Sequence, residues 1–286
     1  MCGSRLRCVF VALVLALNAV SAAAESLLLP VFAHNASGRE GRLWSSELYL
    51  TNPGEQPVQV TLACFLAGYL VRPEPCSEFM PPTRVLPPRS SVVWRSADLE
   101  VDLGCAEEAL GALLLRADGP VTISSRIVSQ SATKRPAQSG GLLAGSGQEV
   151  AALPVADLPP AGLYLLPALA LGDSHRDGRG FDTFIGFANP GPDPVLVSLD
   201  LGLEPGAVRL ALDGAEVSLP YAAEIPGGSW RQWHLTLAPG DAAGRRALGL
   251  ESVNLLIETY APLAFYASVL DRSSGDARTV LPVALR

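Results

Sequence analysis

Lysine occurs once in the 286 residues, at Lys134, and histidine only three times, at His34, His175 and His234. Ser131-Ala132-Thr133-Lys134 matches S-x-x-K, but a chain with one lysine has no K-T-G partner, so the segment does not read as a penicillin-interacting nucleophile. The histidines never fall in H-x-x-x-H or H-E-x-x-H spacing, which excludes a helical zinc motif. Neither a G-x-S-x-G elbow nor a Walker loop occurs. Basic residues number 21 against 28 acidic ones, a formal net charge of −7, and that balance argues against nucleic acid as a partner. Beyond residue 24 no long apolar run is free of Pro, Gly and charge, so no transmembrane segment is expected in the mature chain. No motif calls for a cofactor or a metal, and none is expected.

What is present begins with an address. Arg5 and Arg7 precede an apolar stretch over 9–17, and Ala22-Ala23-Ala24 ahead of Glu25 meets the small-x-small rule of a signal peptidase. The stretch is shorter than the ~20 residues of a bilayer span. Residues 1–24 therefore read as a signal peptide. The mature chain is expected to be secreted, periplasmic or on the cell surface after cleavage near Ala24. Cys64, Cys76 and Cys105 then meet an oxidising compartment and make at most one internal bridge. Cys64 ends an alternating strand and Cys76 opens the returning segment, so Cys64–Cys76 is the expected disulfide. Cys76–Cys105 is the competing pairing.

Self-comparison reveals two similar stretches. Leu29-Pro30-Val31, Trp44, Asn52-Pro53-Gly54 and Pro57-Val58-Gln59-Val60 recur as Leu166-Pro167-Ala168, Phe181, Asn189-Pro190-Gly191 and Pro194-Val195-Leu196-Val197, all at an offset of 137. Trp94 aligns with Trp233 at 139, and Pro120-Val121 with Pro262-Leu263 at 142. The pattern reads as a duplication, with one unit over 25–158 and a second over 159–286. The Pro159-Pro160 pair suits a short stiff linker.

Within each unit the hydrophobic period is two. Val58, Val60 and Leu62 alternate with Gln59 and Thr61, as they do in a strand with one face buried. Asp213-Gly214 between alternating runs predicts a hairpin with both turn residues at positive φ. Asn52-Pro53-Gly54 and Asn189-Pro190-Gly191 read as turns with glycine in the left-handed position. One short helical turn is expected around 106–110. The fold class that follows is all-β, with two tandem Ig-like antiparallel β-sandwich domains related by duplication. The order Leu-Pro, Trp/Phe strand, Asn-Pro-Gly, Val-x-Val resembles secreted bacterial proteins with tandem Ig-like β-sandwich repeats. Ser125-Arg126 fits that resemblance, whereas Ala267-Ser268 in the second copy departs from it. The resemblance implies architecture and export and carries no catalytic residue.

Aromatic positions shared by both copies, Trp94 with Trp233 and Trp44 with Phe181, read as core. Trp230 aligns with Ser91 and lies three residues from Trp233, which places it on the opposite strand face with Gln232, His234 and Thr236. An exposed Trp230 beside His234 is the candidate binding surface. The loop from Asp173 to Asp182 has three aspartates, but it lacks EF-hand spacing and contains Arg176 and Arg179, so it reads as a solvated loop. The expected function is that of a secreted, non-enzymatic structural or adhesion protein, with a protein or polysaccharide partner at the cell envelope. The alternative is a secreted hydrolase, a glycosidase drawing on loop carboxylates such as Asp173, Asp177 and Asp182.

Overall fold

The computed structural model describes residues 25–37, 42–67, 83–95, 108–131, 147–173, 180–203, 208–238, 252–272 and 274–285. They form four antiparallel sheets and a single 3-10 turn at Val155–Asp157. Sheet 1a runs in the order β10 (Leu153–Pro154), β1 (Glu25–His34), β7 (Ala109–Ala117), β4 (Val58–Ala67), β5 (Thr83–Leu86). Sheet 1b centres on β3 (Arg42–Asn52), which pairs with β2 (Ala36–Ser37) and β6 (Ser90–Arg95) and, through β8 (Thr122–Ser131), leads to β9 (Gly147–Ala151).

The second half builds sheet 2a in the order β22 (Val283–Ala284), β11 (Gly162–Ala170), β19 (Ser252–Thr259), β14 (Val195–Asp200), β17 (Tyr221–Ile225). Sheet 2b centres on β13 (Gly180–Asn189), flanked by β18 (Ser229–Leu237) and β20 (Ala264–Asp271), with β12 (Gly172–Asp173) also on β13. It continues to β21 (Ala277–Val280) on one side and to the hairpin of β15 (Leu210–Leu212) and β16 (Ala215–Val217) on the other. Apart from that hairpin, the strand orders of the two halves match element for element. So do their irregularities, since the register shifts between Leu29 and Phe32 in β1 and between Leu166 and Leu169 in β11. Each shift falls at a Leu-Pro step, where proline has no N–H to give a neighbouring strand.

The side-chain parity of sheet 2b sorts its residues into two cores. Ile185, Phe187, Trp233, Phe265 and Ala267 join Leu166, Val197, Leu255 and Ile257 of sheet 2a. Ala188, Trp230, Ala264 and Tyr266 join the cluster of the first half, with Leu28, Leu48, Leu113 and Trp94. One sheet thus belongs to both hydrophobic cores. Across the boundary β1 touches β13 and β20, while β18 touches β4 and β7. Among the described residues no helix is long and apolar enough to cross a membrane.

Two expectations are corrected. Ala109 and Leu110, read as part of a helical turn, begin β7, which lies between β1 and β4. A central strand covered on both faces carries consecutive apolar residues and loses the alternation that marks a strand. The two Asn-Pro-Gly turns do not place glycine at positive φ. Their asparagine side chains hold them instead. Asn52 Nδ2 donates to the carbonyls of Gln56, Leu86 and Pro87 at 2.8, 3.2 and 3.1 Å, and its Oδ1 accepts from Gly54 N–H at 2.9 Å. Asn189 repeats the set with Asp193 and Ile225 at 2.8 and 3.1 Å and Gly191 at 3.0 Å. The Asp213-Gly214 hairpin does form, with φ of +50° and +86°.

Candidate functional site

Trp230 is not on a free surface. It is 3% exposed, and its indole N–H donates to the Pro30 carbonyl 2.9 Å away in the first half. The parity argument put it on the correct face, but sheet 1a covers that face. Trp230 is therefore corrected from candidate binding residue to part of the seam between the halves. Tyr266 lies beside it, fully buried, and accepts from Gln232 Nε2 at 3.3 Å. Burial raises the Tyr266 phenol above its ordinary pKa, and hydrogen bonds from Trp230 and Gln232 offset part of the rise. Ser268 extends the seam by donating to Gln148 Oε1 at 2.8 Å, and Thr279 adds a bond to the Glu149 carbonyl at 3.3 Å.

His234, the other candidate, lies farther along β18 and is brought together with Asp182. His234 Nε2 is 3.1 Å from Asp182 Oδ1, and Arg272 Nε is 3.5 Å from the same oxygen. Asp182 is 4% exposed, and the Phe184 ring stacks on the imidazole at 4.9 Å between centroids. The His234 backbone N–H donates to Asp213 Oδ1 at 2.8 Å. A carboxylate shared by an imidazole and a guanidinium suits a pin between β13, β18 and the end of β20 better than a cation cage. Ser268 shares a cross-strand row with Phe184 and His234, but its hydroxyl is committed to Gln148. Asp177 and His175 lie outside the described residues, as do Cys76 and Cys105. Cys64 sits in β4 opposite Leu114. Among the described residues no group of three or more His, Cys, Asp or Glu side chains is placed to hold a metal ion.

A second cluster was not nominated by sequence. On sheet 1b, Arg95, Glu47, Arg126 and Glu149 stand directly opposite one another across β6, β3, β8 and β9, so charges alternate along a single row. Opposite charges at facing strand positions stabilise a sheet. Glu47 is fully buried, and the Tyr49 hydroxyl, one step along the same face, donates to Glu47 Oε2 at 3.0 Å. Burial and then the Glu47 carboxylate raise the Tyr49 phenol, while Arg126 lowers it. Tyr49, Arg126, Gly147, Gln148 and Glu149 line a groove of 410 Å³ at the edge of the sheet. Gly147 permits its wall, because a Cβ there would meet the Ile127 carbonyl oxygen at 2.5 Å. The sequence signal was a glutamate at the centre of an apolar strand. Its partners lie up to a hundred residues away, and only register reveals them.

No family model and no curated protein matches the chain. Among solved structures it is similar to the apo form of a Pleurotus ostreatus lectin, at 10% identity over 92% of this chain and 78% of that one, with a TM-score of 0.15. A score that low carries no argument about fold or ligand.

Proposed function

We propose that this chain is an exported, non-enzymatic β-sandwich protein acting in adhesion or structure at the cell envelope, with a polysaccharide or protein partner. In this reading residues 1–24 direct export, the two halves arose by duplication, and Cys64–Cys76 forms outside the cytoplasm. The resemblance to secreted bacterial tandem-repeat proteins belongs to the same proposal. The observation that supports it best is the groove on sheet 1b. Its row of charges is already balanced, so a free ion gains little there. A pinned tyrosine ring, a guanidinium, an amide and a carboxylate around a shallow groove match the polar, ring-shaped surface of a neutral sugar. The competing hydrolase reading draws on the loop carboxylates Asp173, Asp177 and Asp182; of these, Asp182 is held by His234 and Arg272 within the scaffold, and Asp177 lies outside the described residues.

Two measurements test the proposal. Mass spectrometry of extracytoplasmic fractions from the source cell is expected to find a mature chain beginning at Glu25. Co-sedimentation with purified envelope polysaccharide is expected to bind the protein, and Tyr49→Ala and Arg126→Ala are each expected to weaken binding about tenfold, or ~1.4 kcal/mol. An uncleaved cytoplasmic chain overturns the export reading. Unchanged sedimentation of both variants overturns the groove.

A further inference from the structure

The groove on sheet 1b owes most of its wall to one strand. Gly147, Gln148 and Glu149 of β9 line it, with Tyr49 of β3 and Arg126 of β8. β9 has five residues and, among the described residues, pairs within sheet 1b only with β8, where Arg126 faces Glu149 and Ile127 faces Gln148. Where this strand lies therefore sets the gap between Glu149 and the Tyr49 and Arg126 side chains. A short strand paired along one edge opens at low free-energy cost, so such a wall is loose unless something else holds it.

The second half holds it. Alternation along β9 buries Gln148 and Val150 and leaves Glu149 exposed. The Gln148 amide oxygen accepts from Ser268 of β20 at 2.8 Å, a bond between two buried side chains, and the Glu149 carbonyl accepts from the Thr279 hydroxyl of β21 at 3.3 Å. β21 has the place in sheet 2b, beyond β13 and β20, that β9 has in sheet 1b beyond β3 and β8, and the two strands touch. Just past β9 the chain pairs with β1, Leu153 facing Leu28, and β1 carries the Pro30 carbonyl that receives the Trp230 indole. Neither Ser268 nor Thr279 lines the groove.

We propose, on the reading of this groove as the binding site, that Ser268 and Thr279 are positioning residues for it. The docked second half holds β9 where binding requires it, so polysaccharide binding and docking of the halves are coupled. Such coupling is reciprocal. Polysaccharide in the groove therefore favours the docked seam by the same factor that docking favours binding, and its effect reaches β21, a strand it does not touch.

Hydrogen exchange and co-sedimentation on the full chain test this together. Ser268→Ala combined with Thr279→Val is expected to speed amide exchange over Gly147–Ala151 roughly fivefold or more. The same double variant is expected to weaken co-sedimentation with purified envelope polysaccharide by a similar factor. Thr279→Ser, which keeps the hydroxyl, is expected to behave as the parent does. Val197→Ala, in the core cluster of the second half, lowers overall stability and is expected to leave both readouts unchanged. In the parent, saturating polysaccharide is expected to slow exchange over Ala277–Val280. Unchanged exchange over Gly147–Ala151 in the double variant overturns the proposal. So does binding that falls equally in Val197→Ala, because overall stability alone would then explain the loss. Binding that is lost in Tyr49→Ala but kept in the double variant overturns the coupling and leaves the groove as the site. A parent that never co-sediments overturns the groove and the coupling with it, and exchange over Gly147–Ala151 then still shows whether the second half holds β9.

Discussion

The Trp230 indole N–H donates to the carbonyl of Pro30 across 200 positions of sequence. Pro30 lies where the register of β1 shifts, so its carbonyl is not taken up by a regular ladder. The bond couples an irregularity in the first half to an aromatic anchor in the second. Because Trp230 sits in the core cluster of the first half, its contribution is to folding and to the joining of the halves together.

Replacing Trp230 with alanine is therefore expected to destabilise the protein by about 3–5 kcal/mol, the usual cost of emptying a buried tryptophan site. Trp230→Phe keeps most of the bulk and orphans the Pro30 carbonyl, for about 1–3 kcal/mol. Calorimetry should show one transition in the parent and two separated transitions in Trp230→Ala. A single transition at an unchanged temperature would contradict the role assigned to this residue.

Gly186 stands opposite Tyr266 on the neighbouring strand, and a Cβ added at Gly186 would overlap the Tyr266 ring. Gly186→Ala is expected to cost about 1–3 kcal/mol by overpacking. The double variant Gly186→Ala with Tyr266→Leu is expected to recover part of that loss. Denaturant midpoints at constant slope would measure both.

The Tyr266 phenol gives the seam a pH dependence. Its folded pKa is raised above the ordinary tyrosine value of about 10 because burial disfavours the phenolate. The unfolded chain then releases this proton at lower pH than the folded one. The stability Tyr266 contributes is complete below about pH 10 and falls as pH rises above it, since the folded state binds more protons there. Absorbance titration near 295 nm should find one of the six tyrosines silent until the protein unfolds. Tyr266→Phe should remove that silent class.

Asn52→Ala and Asn189→Ala each strip a turn of its side-chain bonds and leave buried carbonyls unpaired, at Leu86 and at Ile225 respectively. Each is expected to cost about 1–3 kcal/mol. Asp at either position keeps the acceptor for the glycine N–H but cannot donate, so it should rescue little. Chemical denaturation of the two alanine variants is expected to show similar losses, and a tenfold disparity between them in unfolding equilibrium would refute equal roles.

These asparagines also show what the sequence could carry. The spacing of Asn52 and Asn189 marked equivalent points in two sandwiches, and the strands around them were legible from alternation. That their side chains, rather than the following glycines, close the turns was not legible, because the sequence does not show which carbonyls converge. Trp230 failed for a different reason. Parity says which face a side chain takes, but not whether another sheet lies against that face. The Glu47 row depended on pairing among four strands spread from Glu47 to Glu149, a long-range register that no local pattern encodes. The helical reading of 106–110 failed because a strand buried on both sides has no polar alternate residues.

The edges of the sandwiches have one more consequence. Leu27 of β1 pairs with Pro154 of β10, and Tyr164 of β11 pairs with Ala284 of β22. The chain therefore leaves each half at the edge where it entered. A unit whose two ends are neighbours behaves as a cassette, because a few linking residues can join those ends and new termini can be opened at an exposed turn without rethreading any sheet. A cut at the Asp213-Gly214 hairpin tip would fall between β15 and β16, whose pairing spans only Leu210–Leu212 and Ala215–Val217.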